Sequence, residues 1–207
     1  MNMKETVRNH PVLAIMRKIP TEDITDYVRA AMAGGINLFE VALNSPHALE
    51  QIQLLASTFG DSILLGAGTV LSVEQAKAAL DQGAQFLLSP SCPESVLSYC
   101  AHNDAAYLPG VMTPSDVGLC LSYGFDTLKL FPAGSMAANY VKNLKGPFDG
   151  TEYVAIGGVD FEHAPEFFRQ GYLGIGLGSN LLDKQAVKVR DWETAARKLR
   201  ENLSRIL

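Results

Sequence analysis

A single (β/α)8 barrel is the fold class that this 207-residue sequence predicts, on three observations. Eight short apolar runs punctuate the chain, helix-compatible segments lie between them, and a glycine stands two or three residues ahead of four of the runs. Near-continuous apolar runs suit parallel strands covered by helices. Eight of them with intervening helices fit a barrel near the lower end of its size range. A doubly wound open sheet is the structural alternative, and it requires no even eightfold count.

The elements follow in order. The opening "MNMKETVRNHP" lacks the apolar core and small-residue cleavage site of a signal peptide. The first strand is "VLAIMR" (12–17), and Thr21 then precedes "EDITDYVRAAMAGG", with the early acids and final glycine of a helix. "LFEVAL" (38–43) and "ILLGAG" (63–68) are the second and third strands, and Ser72 starts the helix of "VEQAKAALDQG". "FLLSP" (86–90) and "AYLPGV" (106–111) come next, with Pro114-Ser115 opening the helix of "DVGLCLSYG". "TLKLF" (127–131), "YVAIGG" (153–158) and "LGIGLGS" (173–179) complete the eight. Gly35, Gly83, Gly124 and Gly171 recur roughly every 40 to 50 residues, about two βα units apart. Glycine there permits the left-handed turn that ends a helix before a strand begins.

Composition narrows the function. A hydrophobic content of 47% fills one core, and no linker or low-complexity stretch divides residues 1–207, so one domain is expected. Charged residues make up 19% and the net charge is -5, without a basic run, so neither nucleic acid nor a membrane is an expected partner. Three cysteines without CxxC spacing point to a reduced, cytoplasmic protein. The four histidines are too scattered for a metal motif, and the G-x-S-x-G hydrolase signature is missing.

In a barrel of this kind, reactive groups come from the C-terminal ends of strands and the loops after them. Those positions hold Arg17, Glu40, Thr69, Ser89, Lys129 and Ser179. Lys129 stands in the middle of an apolar run that ends in Phe131-Pro132. It is either a lysine snorkelling from the strand or a nucleophile, because burial lowers an amine pKa and exposes the lone pair for Schiff-base formation. Glu40 interrupts "LFEVAL" in the same way: it is either the structural partner of a buried cation or a proton shuttle whose pKa burial has raised. Glycine pairs at Gly157-Gly158 and around Gly178 close the last two strands, where backbone N–H groups commonly hold phosphate in this fold. Such glycines are also ordinary turn residues. Arg17 can clamp an anion or form a rim salt bridge. Thr69 can donate its hydroxyl to a carboxylate or cap a turn.

These residues resemble those of a known family, the 2-keto-3-deoxy-6-phosphogluconate/4-hydroxy-2-oxoglutarate aldolases. Six blocks carry the likeness in order through nearly the whole chain: "AGGINLFEVALNSP", "LGAGTVLSVEQ", "GAQFLLSP", "PGVMTPSD", "LKLFPAG" and "VKNLKGPF". The resemblance implies a trimeric class I aldolase on a compact barrel, with neither metal nor other cofactor. It implies Lys129 as the Schiff-base former, Glu40 as the proton shuttle, and Thr69 and Pro90 lining a pyruvate pocket. Phe131 would pack beside the imine, and Gly157, Gly158, Gly178 and Ser179 would hold the phosphate. The implied ligands are a phosphorylated keto acid and pyruvate. Two positions depart from the phosphogluconate pattern, Asn44 in place of an arginine and Ile156 in place of a threonine. "LNSP", Arg17 and the glycine pair followed by Val159 look like the phosphogalactonate branch, whereas "GVMTPSD" and "LKGPF" look like the phosphogluconate branch. Cleavage to pyruvate and glyceraldehyde 3-phosphate is the expected reaction. A 4-hydroxy-2-oxoglutarate aldolase and a non-catalytic barrel that binds a phosphorylated metabolite are the alternatives.

Overall fold

The computed structural model describes residues 1–206. The chain opens with helix α1 (Met3–Asn9), strand β1 (Val12–Met16), α2 (Thr21–Gly34), β2 (Leu38–Ala42) and α3 (Ala48–Phe59). It continues through β3 (Leu64–Gly68), α4 (Val73–Asp81), β4 (Phe86–Leu88), α5 (Glu94–His102), β5 (Tyr107–Leu108) and β6 (Gly110–Val111). Then follow α6 (Pro114–Ser122), β7 (Thr127–Leu130), α7 (Tyr140–Lys145), β8 (Glu152–Ile156), α8 (Ala164–Arg169), β9 (Gly174–Leu177), α9 (Lys184–Lys188) and α10 (Trp192–Leu203).

All pairings are parallel, in the order β5-β4-β3-β2-β1-β9-β8-β7-β6. The two ends of that order, β5 and β6, are neighbours in the chain, so the sheet curls into a (β/α)8-type barrel. The expected fifth strand is thus two short ones, making nine. Pro109 is the reason: it has no N–H to give a ladder. Its carbonyl still accepts from Lys129 N at 2.9 Å, and Gly110 N donates to Ser91 O at 3.0 Å, which holds the seam.

Period-two alternation sorts the strand residues into two layers. Val12, Ala14, Met16, Phe39, Val41, Leu65, Ala67, Leu128, Leu130, Ile175 and Leu177 face the helices and belong to the larger core. Leu13, Ile15, Leu38, Phe86, Leu88, Leu108, Val154 and Ile156 form a second cluster inside the barrel. Met3 and Val7 of α1 join this inner cluster and close the barrel's N-terminal end. Helix α1 is an addition to the expected elements.

Helix starts differ slightly from expectation. Thr21 lies inside α2, whose N-cap is Pro20 without a side-chain cap bond. At α6 the cap is Thr113, one residue earlier than Pro114-Ser115, because Thr113 and Asp116 make a reciprocal capping box with Pro114 in the first turn. Ser72 caps α4 through Gln75 N, as its position predicts. Gly35, Gly83, Gly124 and Gly171 all take positive φ (113°, 100°, 86° and 92°), and each stands three residues before a strand.

Two glycine substitutions should move stability in opposite directions. A Cβ at Gly66, inside the barrel, would come 2.6 Å from Phe86 Cδ2, whereas one at Gly118 in α6 meets nothing within 4 Å. Gly66→Ala should cost about 1–3 kcal/mol through overpacking. Gly118→Ala should add roughly 0.5–1 kcal/mol by restricting the unfolded chain. Urea midpoints at constant m-value check both.

Candidate active site

Lys129 and Glu40 are the only acid and base among the buried side chains of the described residues, at 3% and 1% exposure. Alternation on β7 and β2 aims both into the barrel, on the same faces as the inner apolar cluster. Glycines clear the space around them. Lys129 stands between Gly110 and Val154 in register, and Glu40 between Ile15 and Gly66. A Cβ at Gly68 would come within 2.6 Å of Glu40 Cδ. The glutamate therefore occupies room that any larger residue on β3 would take away.

Neither group is fully compensated. Glu40 Oε2 is buried and finds no hydrogen-bond partner among the described residues. Burial pushes the Glu40 carboxyl above its ordinary value, and the charges of Lys129 and Arg17 pull it back less strongly. Burial likewise pushes the Lys129 ammonium below its ordinary value. The Glu40 carboxylate opposes that shift, and Arg17 adds a smaller push in the same direction. Lys129 Nζ lies 5.3 Å from the centroid of the Phe131 ring. Phe131 itself enters the chain turn through a cis bond to Pro132.

The strand ends beside this pair hold Thr69 and Pro90. Thr69 sits at φ 61°, a left-handed conformation that costs a β-branched residue of order 1–3 kcal/mol. Anchors on both sides hold it there: Leu43 N donates to Gly68 O at 2.8 Å, and Val70 N donates to Leu88 O at 3.0 Å. Pro90 packs over Gly110, the register partner of Lys129, since a Cβ at Gly110 would lie 2.6 Å from Pro90 O. Ser89, although it too ends a strand, is occupied elsewhere. Its hydroxyl donates to Val70 O and accepts from Tyr107 Oη at 2.7 Å, with complete burial.

An adjoining cleft of about 510 Å³ brings together Arg17, Phe131, Gly157, Gly158, Gly178 and Ser179. Lys129, Glu40, Thr69 and Pro90 are not in its lining; Phe131 and the field of Arg17 link the two halves. Gly157 and Gly158 both take positive φ at the end of β8, and a Cβ at Gly157 would press on Phe131 Cε2 at 2.9 Å. Ile15 and Ile156 supply apolar lining, while Asn44 is exposed. Lys18, Asn180 and Lys184 also line the cleft, and the expectations from sequence omitted all three. A signal for the isoleucines was available, since Ile15 and Ile156 precede Arg17 and Gly158 by two residues and so share their face.

Paired ionisable groups inside the C-terminal end of a parallel barrel, next to a glycine-lined cleft, define a barrel of the enzyme class. The profile of the family described as KDPG and KHG aldolase matches residues 3–198, and the chain belongs to that family. It is 33% identical over 173 residues to the 2-dehydro-3-deoxy-6-phosphogalactonate aldolase of Escherichia coli K12, covering 83% of this chain and 84% of that one. To the 2-dehydro-3-deoxy-phosphogluconate aldolase of Treponema pallidum it is 31% identical over 189 residues, covering 91% and 88%. The structure superposes with a TM-score of 0.88 on a KDPG aldolase from Legionella pneumophila, crystallised with pyruvate captured as a covalent carbinolamine intermediate. Identity there is 27%, over 97% of this chain and 98% of that one.

Ser89→Ala tests the structural role of that hydroxyl. It leaves the buried Tyr107 Oη without its acceptor and should lower stability by about 1–3 kcal/mol, read as a shift in the urea midpoint.

Proposed function

We propose that this chain is a Schiff-base aldolase that reversibly cleaves a 2-keto-3-deoxy-6-phospho sugar acid to pyruvate and glyceraldehyde 3-phosphate. The observation that carries the reading is a buried lysine, its pKa depressed by desolvation, within the field of a buried glutamate. Family membership supports it. The substrate is assigned at the level shared by the gluconate-type and galactonate-type relatives.

The neutral Lys129 amine adds to the C2 ketone, and loss of water leaves a protonated imine. Glu40 takes the proton of the C4 hydroxyl as the C3–C4 bond breaks. The bond's electrons flow into the iminium and give an enamine, while C4 leaves as the aldehyde. Glu40 then returns the proton to C3, and hydrolysis of the imine frees pyruvate and Lys129. The unpartnered Oε2 and the raised pKa suit Glu40 to carrying a proton in both directions. Thr69 and Pro90 bound the pyruvate end. Phe131 packs beside the imine, while Arg17, Gly157, Gly158, Gly178 and Ser179 receive the phosphoryl end.

Residues 1–207 act as one catalytic domain in this proposal. It is a homotrimer working in the reducing cytoplasm on carbohydrate-derived acids. The three cysteines are free, and exposed Leu49, Leu71 and Met112 offer apolar surface where copies can meet. Among the described residues, no helix is long and apolar enough to cross a membrane.

Borohydride reduction in the presence of pyruvate should attach a covalent mass to Lys129. Lys129→Met should lose both the adduct and, on the order of a thousandfold or more, cleavage. Wild-type turnover with an unmodified Lys129 would sink the mechanism. Gluconate and galactonate epimers assayed side by side identify the preferred sugar acid.

The acid limb of the pH profile reports protonation of Lys129, and two variants should move it in opposite directions. Glu40→Gln removes the carboxylate that raises the lysine pKa, so the limb of pyruvate trapping should shift to lower pH. Arg17→Gln removes a cation that lowers it, so the limb should shift to higher pH. Shifts of the same sign would contradict the assigned field.

A further inference from the structure

The cleft beside Lys129 carries more positive charge than its glycines and Arg17 account for. Lys18 follows Arg17 at the end of β1, and Lys184 opens α9 after β9; both line the cleft. Among the described residues, Arg17, Lys18 and Lys184 form no ion pair, and no Asp or Glu lines this cleft. Three unneutralised cations around one concave surface raise the local concentration of an anion and favour a doubly charged group over a singly charged one.

The backbone supports of the two lysines are built in. Lys18 takes φ 57°, and its N–H donates to the buried Ser45 Oγ at 2.9 Å. The next residues of that loop are tied to the buried Gln51, whose Nε2 donates to Ile19 O at 2.9 Å and Thr21 Oγ1 at 3.1 Å. On the other side, the nearest acid in sequence to Lys184 is already engaged. Asp183 accepts from Ala186 N at 2.9 Å through Oδ1 and from Lys198 Nζ at 2.8 Å through Oδ2. Asn180 Nδ2 donates to Val159 O at 3.0 Å and so braces the loop after Gly157-Gly158 against the loop after β9.

We propose that Lys18 and Lys184 are specificity-determining residues that grip the substrate's phosphoryl group from the loops after β1 and β9 and select phosphorylated keto acids over unphosphorylated ones. The proposal rests on the aldolase reading above. It assigns the glycine N–H groups to the shape of the phosphoryl group and the lysines to its second negative charge. A grip made equally on the bound substrate and on the transition state is uniform binding, so its loss acts on KM rather than on kcat.

The test compares Lys18→Gln, Lys184→Gln and the double variant on a 2-keto-3-deoxy-6-phospho sugar acid and its unphosphorylated analogue. Each single change should raise KM for the phosphorylated substrate about tenfold, the loss of one charge-assisted contact, with kcat within about twofold. The ratio of kcat/KM between the two substrates should fall by about a hundredfold in the double variant, and Lys→Arg replacements should restore most of it. Inorganic phosphate as a calorimetric probe should bind the wild type and weaken about tenfold or more in the double variant, whether or not catalysis survives. A ratio within about twofold of wild type, or an equal kcat loss on both substrates, overturns the clamp. Borohydride trapping with pyruvate separates the two ideas. Trapping at Lys129 with a flat ratio and unchanged phosphate binding refutes the clamp alone, and absent trapping in the wild type refutes the aldolase reading.

Discussion

Desolvation of one lysine and one glutamate inside a parallel barrel is the constraint around which the rest of the molecule is arranged. In water neither group would be reactive: the amine would be protonated and the carboxylate ionised at neutral pH. Inside the barrel, burial disfavours both charged forms and moves the two pKa values toward each other. Each group also stabilises the other's charge, so the native state keeps two ionisable groups that an apolar core would have excluded.

Keeping them requires space, and the barrel supplies it with glycine. Gly66, Gly68 and Gly110 face inward, where a Cβ would strike the Phe86 ring, Glu40 or the Pro90 backbone. The same positions in a purely structural barrel are filled by layers of branched side chains. The rest of the barrel interior is apolar, packed with Leu13, Leu38, Phe86, Leu108 and Val154, and α1 closes the floor with Met3 and Val7. The barrel is thus a sealed apolar vessel at one end and a polar, glycine-relieved site at the other. Thr69 extends the pattern at the rim, where ladder bonds on either side hold a β-branched residue at positive φ.

Under the proposed reading, the cleft next to the pair would divide the recognition of a substrate into two parts. The Lys129 and Glu40 side is buried and nearly free of compensating hydrogen bonds, which suits bond making. The Arg17, Gly157-Gly158 and Ser179 side is open, cationic and shaped by backbone, which suits an anion. Phe131 stands between them, beside Lys129 and against Gly157. Strand succession produces this arrangement directly, because β7, β8, β9 and β1 are neighbours in the sheet.

Much of this was legible in the chain. Eight apolar runs, four glycines set three residues before strands, and two charged residues inside apolar runs sufficed for the barrel and for the inward placement of Lys129 and Glu40, because alternation and helix termination are local physics. Pro109 was visible too, but that it would split one strand and still close the barrel depended on its carbonyl meeting Lys129 N from across the seam. Ser89 looked as available as Thr69 until Tyr107 and Val70 consumed its hydroxyl. Lys18 and Lys184, 166 positions apart in the numbering, read as ordinary surface lysines until β1 and β9 paired and set their loops on one cleft. The sequence by itself determined which residues face inward and where elements end, since those follow from periods of two and from turn chemistry. Only the tertiary structure decided which polar groups remain unsatisfied and which cations share a surface, because both depend on partners brought together by closing the sheet.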